Sequence, residues 1–223
     1  MPGGGLKAGR GGEAWVNGCR RRFFYNFRRA MKPSDASPEF PSRIVLVGFM
    51  GAGKSTVGPV LAARLGWRFA DADSQLEQAA GTSIAGLFTN FGEAEFRRME
   101  AEAVARLHCE DELVLALGGG AVDTESTRKL LAESPGTLVV FLRAPLEILI
   151  TRCESQPGAA IRPVLNQRES LQERFDARQR HYEAADIVVE THGVSPERVA
   201  DEILRRLQER FDAAPSRLKA ATI

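Results

Sequence analysis

Eight consecutive residues, Gly48-Phe49-Met50-Gly51-Ala52-Gly53-Lys54-Ser55, fit the pattern G-x-x-x-x-G-K-[ST] between an apolar run and a helical pattern. Glycines at these positions let successive backbone N–H groups turn inward, so a polyphosphate meets a ring of donors and a helix N-terminus together. Lys54 adds a mobile positive charge toward the β- and γ-phosphates, and the Ser55 hydroxyl suits Mg²⁺. Gly51, Ala52, Gly53, Lys54, Ser55 and Thr56 are therefore the expected nucleotide-binding set. Such a loop fixes a phosphoryl donor but leaves the acceptor open. Neither the D-x-x-G nor the N-K-x-D segment of a GTPase follows it, which favours a kinase acting on a small molecule.

The loop works only when a strand delivers it and a helix receives it. From Arg43 onward, short β-branched or apolar runs alternate with amphipathic stretches, which predicts βα units around a parallel sheet. The expected strands are Ile44–Val47, Arg68–Ala72, Leu113–Ala116, Leu138–Leu142 and Ile187–Val189. Helices are expected at Lys54–Leu65, Ser74–Ala80, Ser83–Phe91, Glu93–His108, Thr124–Leu131, Pro145–Arg152, Ser170–Glu183 and Pro196–Phe211. Right-handed crossovers put helices on both faces and gather the strand C-termini at one edge, where ligands bind. The expected fold class is thus α/β, a three-layer P-loop kinase fold with a five-stranded parallel sheet.

Composition agrees with one such domain. The chain has 223 residues, 43% hydrophobic and 26% charged, with no apolar run long enough to cross a bilayer. Cys19, Cys109 and Cys153 are scattered and unpaired in sequence, and the histidines do not cluster with them, so neither a disulfide framework nor a zinc site is implied. That cysteine usage, and a start without an apolar signal segment, suit the cytoplasm. Residues 1–42 hold eight Lys/Arg against three Asp/Glu, leaving 22 against 26 in the body. A mildly acidic body weighs against nucleic-acid binding. The first 42 residues lack periodicity and read as a disordered basic extension or an overlong start before Met31. A transit peptide or docking arm is the alternative. The domain is expected over 43–211, with a C-terminal tail at 212–223.

Five further segments resemble those of the shikimate kinase family, over nearly all of residues 43–211. Phe69-Ala70-Asp71-Ala72-Asp73 resembles the family's D-x-D, Gly92-Glu93-Ala94-Glu95-Phe96-Arg97-Arg98-Met99-Glu100 its G-E-x-x-F-R-x-x-E, and Gly118-Gly119-Gly120-Ala121 its G-G-G-A. Arg152 with Ile161-Arg162-Pro163-Val164-Leu165 is similar to the lid, here about 153–168, and Arg178-Gln179-Arg180-His181-Tyr182 to the last substrate-binding segment. The third strand also ends without a Walker-B aspartate, as in that family.

The resemblance implies roles for these residues. Asp71 belongs to the Mg²⁺ environment together with Ser55, and Asp73 meets the substrate hydroxyls as catalytic acceptor. Carboxylates at a strand end facing the loop suit both tasks, although the same pair also reads as an N-cap for the next helix. Arg97 and Arg178 bind the substrate carboxylate, with Arg180 the rival to Arg178, and Glu100 holds Arg97. Gly118, Gly119 and Gly120 offer backbone donors to substrate, Arg152 packs on the adenine, and Arg162 acts on the transferring phosphate. Lys54, Asp73 and Arg162 form the implied catalytic set. The implied reaction joins ATP and shikimate with Mg²⁺ as cofactor. A monomer without nucleic-acid or membrane partners is expected. A sugar-acid kinase such as gluconate kinase, and a non-catalytic ATP-binding relative, are the alternatives.

Overall fold

A computed structural model describes residues 40–155 and 168–212. Within them five parallel strands, β1 (Arg43–Val47), β2 (Arg68–Asp71), β3 (Leu113–Ala116), β4 (Thr137–Arg143) and β5 (Ile187–Glu190), form one sheet ordered β2-β3-β1-β4-β5. Central β1 and β3 are apolar along almost their whole length, and Ile44–Leu46 and Leu113–Ala116 are fully buried. That is the signature of strands covered on both faces.

Seven helices connect and cover the sheet among the described residues: α1 (Lys54–Leu65), α2 (Ala72–Ala80), α3 (Ile84–His108), α4 (Glu125–Glu133), α5 (Leu146–Glu154), α6 (Arg168–Tyr182) and α7 (Pro196–Asp212). In α7, Val199, Ala200, Ile203 and Leu207 repeat at helical spacing and are buried, and this stripe packs against α1. α2 and α3 pair with each other around a second small cluster, Leu76, Leu87, Phe96 and Ala103.

One boundary differs from expectation in a way that matters for the site. Ala72 opens α2 rather than closing β2, because the Asp71 carboxylate caps the helix by accepting from the N–H groups of Asp73 and Ser74. The break expected at Gly92 is present: the two helical stretches labelled together as α3 meet at a kink where Gly92 takes the non-helical φ 77° and ψ 170°. Ser83 caps the start of α3 by accepting from the Gly86 N–H. Pairing sets Asp71 beside Ala116 and Ala116 beside Leu46. Two residues beyond that register line, past the ends of the three neighbouring strands, stand Asp73 in the first turn of α2, Gly118 and Gly48.

Candidate active site

The loop between β1 and α1 is shaped as its composition demands: Gly51 and Gly53 adopt left-handed φ of 75° and 96°, and Gly53 is the N-cap of α1. Lys54 Nζ donates to the carbonyls of Gly48 at 2.7 Å and Phe49 at 3.1 Å. Burial pulls this ammonium down to about 8, against the opposing charges of Asp73 and Asp71. Ser55 Oγ donates to Asp71 Oδ2 at 2.6 Å, so Asp71 serves both as helix cap and as partner of the loop hydroxyl. Ala52 is buried, while Ser55 and Thr56 are exposed.

The glycine triplet after β3 packs between the phosphate loop and a cluster of carboxylates and arginines. A β-carbon on Gly119 would lie 3.3 Å from the Met50 N–H nitrogen, so the triplet abuts the phosphate loop. On Gly118 it would come 2.5 Å from Asp73 Oδ1 and 2.7 Å from Glu100 Oε1, and on Gly120 it would press into the Arg97 guanidinium. A side chain at Gly118 or Gly120 would have to displace the Asp73 and Glu100 carboxylates or the Arg97 guanidinium. Tyr182, fully buried and stacked on Phe141 with ring centroids 5.1 Å apart, donates its hydroxyl to the Gly119 carbonyl at 2.5 Å.

Asp73 stands between the two ends. Burial and the charges of Glu100 and Asp71 push its carboxyl up to about 6, with Lys54 opposing. Its Oδ1 is buried and takes no hydrogen bond among the described residues. A buried acceptor left unmet is costly, and such atoms point to a missing donor.

Arg97 Nη1 donates to the buried Glu100 carboxylate at 2.7 Å, and its guanidinium carbon lies 5.2 Å from the Phe96 ring centre. Arg178, 8% exposed, makes a two-point pair with Asp123 and lies over Phe49 at 5.7 Å. Arg180 is exposed and touches His181, so the geometry brings Arg178, not its rival, to the site. Arg98 lies on the outer face with Glu95 and Glu102. Arg152 Nη1 donates to the carbonyl of Gly51 at 3.3 Å and to Thr191 Oγ1 at 3.0 Å, tying the phosphate loop to the segment after β5. Arg162 and most of the expected lid fall outside the described residues.

Sequence reasoning missed Asp123. It ends a single 3₁₀ turn, Ala121–Asp123, just past the segment in which the triplet was recognised, and its partner Arg178 is 55 positions away.

A sheet of this order carrying this loop after its first strand defines a P-loop phosphotransferase, and beside the loop here lie one unmet carboxylate and two arginines. A family model described as shikimate kinase matches residues 50–208, and the chain belongs to the shikimate kinase family. It is 41% identical over 167 residues to shikimate kinase of Persephonella marina, covering 74% of this chain and 98% of that protein. It is also 46% identical over 164 residues to that of Streptomyces coelicolor, covering 72% and 92%. Among solved structures, shikimate kinase from Acinetobacter baumannii in complex with shikimate superposes with a TM-score of 0.70 at 33% identity, covering 78% of this chain and 96% of that one. A gluconokinase from Sinorhizobium meliloti shares the fold, with a TM-score of 0.54 at 21% identity over 83% of this chain and 99% of that one. No described helix is long and apolar enough to cross a membrane.

Proposed function

We infer that the chain transfers the γ-phosphoryl group of ATP to the 3-hydroxyl of shikimate, releasing ADP and shikimate 3-phosphate. The hydroxyl oxygen forms the new bond to phosphorus, the bond from phosphorus to the β–γ bridging oxygen breaks, and Asp73 takes the hydroxyl proton. The single observation that carries this assignment is the unmet Asp73 Oδ1, buried beside Gly118 with Lys54 as its cationic neighbour. Lys54 leaves the carbonyls of Gly48 and Phe49 for the phosphates, while Arg97 and Arg178 grip the ring carboxylate. Backbone N–H groups of Gly118, Gly119 and Gly120 line the ring between them. Arg152 lies beside the adenine, and Arg162 neutralises the transferring group. Because phosphoryl transfer has a loose transition state, most of the acceleration comes from alignment and charge.

Mg²⁺ fits the donor end. No described cluster of acidic, histidine or cysteine residues forms a cage by itself, but Mg²⁺ favours a hydroxyl and one or two carboxylates completed by phosphate and water oxygens. The Ser55 hydroxyl and Asp71 carboxylate, already 2.6 Å apart, would hold it. Bound there, it would supply charge neutralisation on the phosphates.

A coupled assay of ADP release with shikimate, with gluconate and with no acceptor tests the reading. Turnover is expected with shikimate alone. Equal release without acceptor, or preference for gluconate, overturns the assignment.

A further inference from the structure

We propose that Asp123 is a positioning residue for substrate specificity, holding Arg178 and Arg97 in one orientation for an incoming carboxylate. The inference rests on the reading of these arginines as carboxylate anchors. Three hydrogen bonds join Arg178 to Asp123: Nε to Oδ1 at 3.1 Å, Nε to Oδ2 at 3.0 Å and Nη2 to Oδ2 at 2.7 Å. The carboxylate thus takes one planar edge of the guanidinium and leaves Nη1 outside the pair. The same Oδ2 lies 3.8 Å from Arg97 Nη2, whose other amino group is committed to Glu100. Each arginine therefore has one edge held by an acid, Glu100 for Arg97 and Asp123 for Arg178, and Asp123 spans both.

The turn that bears Asp123 is itself fixed. The Asp123 N–H donates to the Gly120 carbonyl at 2.9 Å, and Arg128 Nη1 donates to the carbonyls of Val122 and Asp123, each at 2.7 Å. An acid placed freely beside an anion site would repel the ligand. Here its charge is cancelled by the bidentate pair with Arg178, as that of Glu100 is by Arg97. Two guanidinium groups sharing a small space also repel each other, so an intervening carboxylate keeps the buried one from turning to solvent.

Asp123→Ala and Asp123→Asn are compared with the parent chain in steady-state kinetics, using shikimate and its methyl ester, which lacks the negative charge. The KM for shikimate is expected to rise about tenfold in the alanine variant and less in the asparagine variant, which keeps one acceptor. The kcat and the KM for ATP should change far less, and kcat/KM for the ester should be unmoved. An unchanged KM for shikimate sinks the proposal. A lowered one does so too, by making Asp123 a competitor for the arginines, and an equal loss on the ester reduces it to general damage. If the alanine variant does not fold, the asparagine variant decides by the same readings. A parent chain inactive on shikimate instead overturns the functional assignment, a distinct outcome.

Discussion

At the scale of single residues, the site stores its cost in Asp73. A carboxyl raised from 3.8 to about 6 in the folded chain binds more protons folded than unfolded between those values, so stability falls as pH rises through that window and stays reduced above it. A shift of this size corresponds to at most ~3 kcal/mol. Asp73→Asn removes the charge while keeping the shape. Its thermal midpoint is therefore expected to exceed that of the parent chain at pH 7.5 and to converge with it near pH 4, while turnover drops by roughly 10²–10⁴-fold. Melting curves at both pH values, read with the ADP-release assay, check the pair of outcomes. A variant no more stable at pH 7.5 than its parent would mean the carboxylate carries no such strain. The place of this residue was legible in the sequence because it follows a strand end and Asp71 by two residues and faces a phosphate loop of recognisable spacing. The role expected of it came instead from the resemblance, and Glu100, its strongest charged neighbour, is 27 residues on. Asp123 was not legible, since an acid on a short turn looks like any solvated charge until the fold brings Arg178 against it.

At the scale of elements, the bend in α3 aims Arg97. The sequence placed a break at Gly92, and the structure keeps it, while Ile84 and Phe88 before the kink and Phe96 and Met99 after it serve one apolar cluster. Phe88 and Phe96 stack with centroids 4.1 Å apart across the bend. Nothing lies within 4 Å of where a β-carbon at Gly92 would sit, so Gly92→Ala meets no clash and its whole cost is conformational. That cost is ~1–3 kcal/mol for a positive φ with extended ψ, a region essentially reserved for glycine, or about 2–12 °C in thermal midpoint for a domain of this size. Calorimetry of the variant measures it. A loss well above that range would show that the bend is held by contacts rather than by glycine. Strand positions were read correctly for a different reason: buried parallel strands are short apolar runs, and only their ends shifted, where Asp71 left the strand to cap α2.

At the scale of the whole molecule, strand order writes the reaction coordinate across one edge of the sheet. β3 lies between β2 and β1, so the triplet it delivers packs against Asp73 on one side and the phosphate loop on the other, while Asp71 reaches the loop through Ser55 and the arginines arrive from α3 and α6. Donor and acceptor ends therefore belong to different elements and should be separable by ligand. A ligand at a hundred times its Kd stabilises the folded chain by ~2.7 kcal/mol, about 5–10 °C here. ADP with Mg²⁺ and shikimate alone are each expected to raise the thermal midpoint of the parent chain by that order. Lys54→Ala should abolish most of the ADP-linked rise and keep the shikimate-linked one, and Arg97→Ala should do the reverse. Loss of both rises in either variant would mean that the two ends fold as one cooperative unit, and that the triplet couples them rather than keeping them apart.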